Sequence, residues 1–261
     1  MLVTADWGSA KLAEGRGPAG SVLDATQSVT LVETQYGGRY VSSLAGQEGD
    51  GARDWLFWIN GIEADTGATE VNAVAGDHVW WDIHRWGGRV NLTAIVGLWP
   101  APISRDLSGP VVDVTADPAI ASGLKALGLD VAVPAASSGP RVLVGDNRDL
   151  LKRDDLWRRA SADPAKAGLT VWFESDTIVV WDADQQQAIP VPKASAIMVA
   201  TTEGFTAQGA PVVVIAGRTN TAAEQAAQLI GRRPELPQRH FAICLDEQAV
   251  IVCSGGRGLA S

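Results

Sequence analysis

The chain has few residues of the types that most often carry chemistry. Its 261 residues include only three histidines, two cysteines, two tyrosines and two methionines. Two cysteines are too few for a zinc ribbon. The sequence also lacks a Gly-x-Ser-x-Gly nucleophile elbow and a Walker-type phosphate loop. We therefore assign no catalytic residues, no metal ligands and no cofactor from the sequence.

Long apolar runs and clusters of basic residues are also missing. No stretch approaches the ~20 apolar residues that a membrane-spanning helix needs. The net charge of −9 repels phosphate backbones, so we expect no nucleic-acid partner. The opening "MLVTADWG" is typical of a strand and not of an export signal. The protein is thus expected to be either cytoplasmic or exported with its signal removed.

What the chain does contain is enough apolar material, 46% of its residues, for one large domain or two ordinary ones. In the first hundred residues, Ser21 and Asp24 form a capping-box pattern at the start of a short helix. Asn60-Gly61 lies between two apolar runs and predicts a hairpin, and Gly76-Asp77 predicts another turn. One helix among several strands predicts a β-grasp (ubiquitin-like) domain over residues 1–100.

Prolines and polar residues between 101 and 110 predict a linker, and strands alternate with helices over residues 111–261. Runs such as "VVVIAG" lack alternation, which indicates a second domain of α/β type with a partly parallel sheet. "RDLLKRDDLWRR" places acids four residues before bases and predicts one solvated helix. For Cys244 and Cys253, a hairpin with Ala242 opposite Cys253 favours free, packed thiols, whereas a slipped register would allow a bridge.

The ten tryptophans carry the most information. In "DHVWWDIHRW", strand alternation puts Val79, Trp81 and Ile83 on one face and Trp80 on the other. We expect the helix to cover the first face and Trp58 to pair with Trp80 across strands on the open face. The open face is either a contact surface or an area covered by the second domain. Asp82 and His84 lie on the same face as Trp80, and we expect a solvated pair.

Several separated motifs in residues 3–102 occur in the order found in a known family. "DWLFWINGIEADTGATEVNAVAGDHVWWDI" resembles the C-terminal β-grasp domain of transcobalamin and intrinsic factor, together with its bacterial relatives. "VTADWG", "YGGRYVSSLAG" and "VGLWPAP" are similar to segments of the actinobacterial members. The resemblance implies a β-grasp fold, an extracytoplasmic location as a secreted protein or lipoprotein, and a domain that can close on one face of a corrinoid.

By that resemblance, the ligand-binding candidates are Trp58, Trp80, Trp81 and Trp86, with Tyr36, His84 and Asn60 beside them. The favoured hypothesis is a non-enzymatic binding protein for a corrinoid or another vitamin, with cobalamin as a ligand and not as a cofactor. The expected partners are a small molecule or a transporter or envelope protein. Two alternatives stay open: a cell-envelope scaffold that contacts a protein or polysaccharide, and an enzyme built on the α/β half.

Overall fold

The computed structural model describes residues 1–85, Leu92, Ile103 and residues 113–116, 140–231, 241–246 and 250–253. The fold class is α+β: a sheet-rich N-terminal domain precedes a second domain of sheet and helix. The expected linker over residues 101–110 lies outside the described residues except for Ile103. None of the helices in the described ranges combines the length and the apolar composition needed to cross a membrane.

The N-terminal domain is built on a five-stranded mixed sheet. Its strands lie in the order β2-β1-β10-β7-β8, with β1 parallel to β10 and the other neighbours antiparallel. A first hairpin, a helix and a last strand that returns beside the first make up the β-grasp that the sequence predicts. The elements are β1 Leu2–Ala5, β2 Ala10–Glu14, β3 Gly20–Ser21, α1 Val22–Gln27, β4 Val32–Gln35, β5 Tyr40–Leu44, β6 Gln47–Glu48, β7 Arg53–Ile59, β8 Ile62–Glu63, β9 Asn72–Ala73 and β10 Val79–Arg85.

Local signals account for the helix and both turns of this domain. The Ser21 hydroxyl accepts a hydrogen bond from the Asp24 amide and donates one to the Asp24 carboxylate, which caps α1 as predicted. Asn60 and Gly61 both have positive φ, at 50° and 86°, and they join β7 to β8 in a tight hairpin. Gly76, at φ 93°, forms the turn before β10.

A six-stranded sheet of order β11-β12-β17-β16-β18-β19 forms the centre of the second domain. Strands β11, β12 and β17 are parallel and the remaining pairs are antiparallel, so the partly parallel prediction is confirmed. The elements are β11 Asp113–Ala116, β12 Arg141–Asp146, α2 Asn147–Arg153, α3 Asp155–Ala162, β13 Val171–Glu174, β14 Thr177–Asp182, β15 Gln187–Pro190, β16 Ala196–Thr202, β17 Pro211–Gly217, α4 Asn220–Gly231, β18 Ala242–Leu245 and β19 Val250–Val252.

Both faces of this sheet are covered. Helix α4 packs its alanines on one face, against side chains such as Val213 and Met198. The other face meets α2, α3 and a separate three-stranded sheet, β13-β14-β15. Strands β16 and β17 are therefore buried on both sides, which explains why their sequences are apolar without alternation.

Two predictions for the second domain are wrong. The charged segment forms two helices and not one, because Asp154 leaves the helical conformation and its carboxylate caps α3 by accepting from the Trp157 amide. Cys244 and Cys253 form a disulfide and are not free thiols. The predicted strand register is correct, but the Cα atoms are only 5.6 Å apart. Strand twist shortens one diagonal of such a pair, and Cys253 lies just past the end of β19.

Candidate functional site

Strand β10 carries the predicted site residues on two opposite faces. Val79, Trp81 and Ile83 lie on the face under α1, within the core of the β-grasp domain. The Trp81 indole N–H donates to the hydroxyl of Thr26 in α1 at 3.0 Å, and only 1% of the side chain is exposed. Trp81 is therefore a core residue whose polar atom is satisfied inside the domain.

The opposite face holds the predicted cross-strand pair of tryptophans. Trp58 and Trp80 are direct partners in the β7–β10 ladder, and their ring centroids are 4.8 Å apart. Their exposed fractions are 0% and 2%, so the pair does not form an open surface. Of the two arrangements that the sequence left open, the structure has the second, because residues of the second domain cover the pair.

We call the resulting cluster the tryptophan seam. Phe241, immediately before β18, reaches both members of the pair, with ring centroids 5.1 Å from Trp58 and 4.9 Å from Trp80. The Trp58 indole donates to the backbone oxygen of Leu92 at 2.6 Å, and the Trp80 indole donates to the Thr4 hydroxyl at 2.7 Å. The buried members are Trp7, Trp58, Trp80, Leu92, Ala183 and Phe241.

Beside the seam, Asp82 and His84 form a fully buried pair. The expectation of a solvated pair is wrong, since both side chains are 0% exposed. The carboxylate accepts four hydrogen bonds, from the Thr4 hydroxyl, the Trp7 and Gly8 amides and His84 Nδ1. Because the Asp82 carboxylate accepts, His84 Nδ1 is the donor of this hydrogen bond.

The geometry of this pair indicates a structural role. His84 stacks on Trp7 with ring centroids 4.0 Å apart, and its Nε2 has no hydrogen-bond partner in the described part of the chain. A catalytic Asp–His pair needs a nucleophile or a substrate proton within reach of that nitrogen. Asp82 instead connects the turn after β1 to the central strand of the sheet, β10, through hydrogen bonds.

The remaining predicted residues lie apart from the seam or outside the described residues. Tyr36 is 80% exposed and follows β4, in a small sheet separate from the one that carries the tryptophans. Asn60 is buried at the β7–β8 turn, where its side chain donates to Asp77 and accepts from the His78 amide. Trp86 lies outside the described residues. The structure thus brings together Trp58, Trp80 and His84, with Trp81 on the opposite face of the sheet.

A cleft opens next to the seam, between the β7–β8 hairpin and the turn that precedes β17. Its volume is about 400 Å³, within the range of small-molecule sites. The first domain supplies one wall and the second domain the other. The lining residues are Ile59, Asn60, Ile62, Glu63, Ala64, Asp65 and Val71 from the first domain, with Ala207, Gln208, Gly209 and Pro211 from the second.

Glu63 is the polar residue of this cleft that sequence reasoning missed. It is paired with Trp58 across the hairpin, which places it on the seam side of the sheet. Its Oε2 atom is buried and has no hydrogen-bond partner among the described residues. Burial raises the pKa of the Glu63 carboxyl from 4.5 to about 8. The two-residue turn at Asn60-Gly61 fixes this register, so the pairing of Glu63 with Trp58 could have been predicted from the sequence.

Two exposed polar contacts join the domains around the seam. At the mouth of the cleft, the Gln208 side-chain amide donates to the Asp65 carboxylate. Arg85, at the end of β10, lies 3.7 Å from Asp184 in the second domain. Contacts of this type contribute little stability. Apolar burial in the seam therefore contributes most to holding the two walls of the cleft in place.

Residues 19–85 match the sequence profile of DUF4430, a domain of unknown function that is grouped with transcobalamin-like domains. The matched stretch starts just before α1 and ends with β10, so it contains the strands that carry Trp58 and Trp80 but not Trp7. No curated protein and no solved structure matches the chain.

Proposed function

We propose that this protein is a non-catalytic binding protein that acts outside the cytoplasm and holds a small ligand in the cleft between its two domains. One observation carries the proposal: the cleft is lined from both sides, by the β7–β8 hairpin and by the turn before β17, directly beside the seam that fixes the two walls. Ligand sites are common at such domain boundaries.

The disulfide supports the proposed location. Cys244 and Cys253 are the two cysteines of the chain, and they are bonded to each other. Disulfides of this type persist in secreted and envelope proteins and are rare in the reducing cytosol. The likeness of the β-grasp domain to transcobalamin-like domains points in the same direction, since it implies a secreted protein or a lipoprotein.

The size of the cleft bears on the ligand. The resemblance favours a corrinoid, but a whole corrinoid is several times larger than a cleft of about 400 Å³. We therefore propose a smaller amphipathic ligand, or the edge of a larger one. The scaffold alternative would use the tryptophan face as a contact surface, and that face is already covered by Phe241 and its neighbours.

A titration with N-phenyl-1-naphthylamine, a neutral and apolar fluorophore, tests the proposal. We expect saturable binding at one site per chain. The Ala207→Trp variant places a bulky ring in the cleft and is expected to weaken binding at least tenfold. Ala10→Trp, at an exposed position of β2, serves as the matched control and should bind as the unchanged protein does.

Cyanocobalamin and dicyanocobinamide are titrated in parallel, with the corrin absorbance as the signal. Binding that Ala207→Trp abolishes would assign a corrinoid to the cleft. The proposal fails if the fluorophore shows no saturable binding, or if Ala207→Trp binds it as tightly as Ala10→Trp does.

A further inference from the structure

The Glu63 carboxyl is placed as a ligand-binding group would be placed. Its side chain lines the cleft, while its Oε2 atom is shielded from water and lacks a hydrogen-bond partner in the described residues. A buried polar atom normally has a partner, so an orphan in a cavity wall is available to a group that enters the cavity. The cross-strand neighbour of Glu63 on the seam side, Trp58, is itself fully buried.

The charges around the cleft have one sign. Among the described residues, the lining contains two carboxyl groups, those of Glu63 and Asp65, and no lysine or arginine. Asp65 is occupied at the mouth by the amide of Gln208, whereas Glu63 lies deeper. A deep carboxyl group that ionises when a counter-charge arrives can pair with a cation, whereas the described lining residues offer an anion no counter-charge.

We propose that the cleft binds an organic cation, a primary ammonium group on an apolar body, with the ammonium group at the Glu63 carboxylate and the body against Ile59, Ile62 and Pro211. This inference rests on the proposed function and names its ligand class. The three N–H donors of an ammonium group match an acceptor that has no partner of its own.

The composition of the walls favours an ammonium group over a metal ion. Calcium takes six to eight oxygen ligands. Of the oxygen-bearing side chains in the described lining, Asn60 is hydrogen-bonded to Asp77 and His78. Asp65 and Gln208 are hydrogen-bonded to each other, which leaves Glu63 among isoleucine, valine, alanine and proline side chains. The described residues also contain no cluster of three or more His, Cys, Asp or Glu side chains suited to a metal. An apolar wall next to one carboxylate instead suits an alkyl or aryl amine.

The raised pKa of Glu63 gives the binding reaction a measurable signature. With a pKa of about 8, the empty cleft holds a neutral carboxyl group at pH 7. An ammonium ligand brings the missing counter-charge, so Glu63 gives up its proton to the buffer as the ion pair forms. Each ligand bound at pH 7 is expected to release close to one proton.

Calorimetry with three hexyl probes tests the charge requirement. We expect hexylammonium to bind at least tenfold more tightly than hexanol, and hexanoate to show no binding. Titrations at pH 7 in phosphate and in Tris, which differ in ionisation enthalpy, count the protons released. Hexanol should release none.

The variant Glu63→Gln keeps the size of the side chain and removes its charge. In this variant we expect hexylammonium to bind no more tightly than hexanol, with no proton release. Glu48→Gln, at an exposed position of β6, is the matched control and should preserve the full preference. Asp65→Asn at the mouth of the cleft is expected to weaken hexylammonium binding only two- to threefold.

Equal affinities for hexylammonium and hexanol in the unchanged protein would overturn the inference, and so would an undiminished preference in Glu63→Gln. If neither hexylammonium nor hexanol binds while the neutral naphthylamine still does, the proposed ligand class is wrong and the cleft remains a binding site. If the naphthylamine also fails to bind, the proposed function fails as well.

Discussion

The two faces of the N-terminal sheet are both buried, but they are buried in different ways. The face under α1 is covered by its own domain, and its apolar core includes isolated side-chain hydrogen bonds, such as those from Trp81 to Thr26 and from Trp55 to the Gln47 backbone oxygen. The seam face is covered by the second domain and contains the Asp82 network. Seam residues such as Trp80 and Phe241 come from distant parts of the chain.

Because of this difference, one face contributes only to the stability of its own domain, and the other also couples the two domains. Residues under α1 stabilise the β-grasp domain alone. Seam residues additionally fix the position of the second domain, and through it the far wall of the cleft. Substitutions matched across the two faces are therefore expected to give different outcomes, and the following predictions compare them.

The largest effect is expected for Asp82→Ala. It removes the acceptor of four buried donors, those of Thr4, Trp7, Gly8 and His84. Breaking such a buried network costs about 5 kcal/mol in the free energy of unfolding. Thr26→Val, the matched change under α1, removes one hydroxyl and should cost about 1–2 kcal/mol. Urea unfolding of both variants measures the difference, and equal losses would contradict the asymmetry between the faces.

The second-largest effect is expected at Glu63, which lies at the edge of the seam face, where the second domain leaves the cleft open. Its folded pKa of about 8 lies above its ordinary value of 4.5, so its contribution is favourable below pH 4.5 and is lost as the pH rises to 8. At about 1.4 kcal/mol per pH unit, the loss is at most about 5 kcal/mol.

Glu63→Gln lacks this titration. The free energy of unfolding of the variant, minus that of the unchanged protein, is therefore expected to increase between pH 4.5 and 8 and to be constant above pH 9. Guanidinium unfolding at five pH values gives this difference. A difference that is flat across the whole range would show that Glu63 ionises as an exposed residue does.

Phe241→Ala tests the coupling itself. It removes the ring that touches Trp58 and Trp80 and should cost about 3 kcal/mol. Phe57→Ala removes a ring that packs on Trp81 under α1 and should cost a similar amount. Quenching by acrylamide separates the two, because we expect Phe241→Ala to expose seam tryptophans under native conditions and Phe57→Ala to leave them covered. Identical quenching would contradict this.

The smallest effect is expected from the disulfide, which anchors the strand that follows Phe241. Replacing Cys244 and Cys253 by serine opens a loop of nine-residue separation and should cost about 2–3 kcal/mol. The loss of stability should be confined to the second domain, so the rates of hydrogen exchange of residues under α1 should be unchanged. Faster exchange at Trp81 and Val22 would show that the α1 face also depends on the second domain.

The sequence allowed the prediction of whatever depends on neighbouring residues. Strand alternation assigned Trp80 and Trp81 to opposite faces, and the Asn60-Gly61 turn set the hairpin. These features follow from a side-chain period of two and from the backbone conformation of two residues. The capping box at Ser21 was predictable for the same reason.

What covers the seam was not predictable, because it depends on contacts between residues far apart in the chain. Nothing in the segment around Phe241 indicates that its ring meets Trp58. Asp82 and His84 lie under the turn after β1, where Trp7 and Gly8 bond to Asp82 and Trp7 stacks on His84, so their interpretation as a solvated pair was wrong. Glu63 was within reach of sequence reasoning, since the hairpin register alone places it opposite Trp58.

Strand β1 pairs with β10, and Phe241 lies far beyond both strands in the sequence. Because the chain is synthesised from its N-terminus, these two facts set the order in which its parts can fold. The β-grasp sheet is complete only once residue 85 has emerged, and its tryptophan side then waits for a partner that is synthesised on the order of ten seconds later. During that interval the apolar indole surface is exposed to solvent. Fragments that stop short of Phe241 are therefore expected to aggregate where the full chain does not.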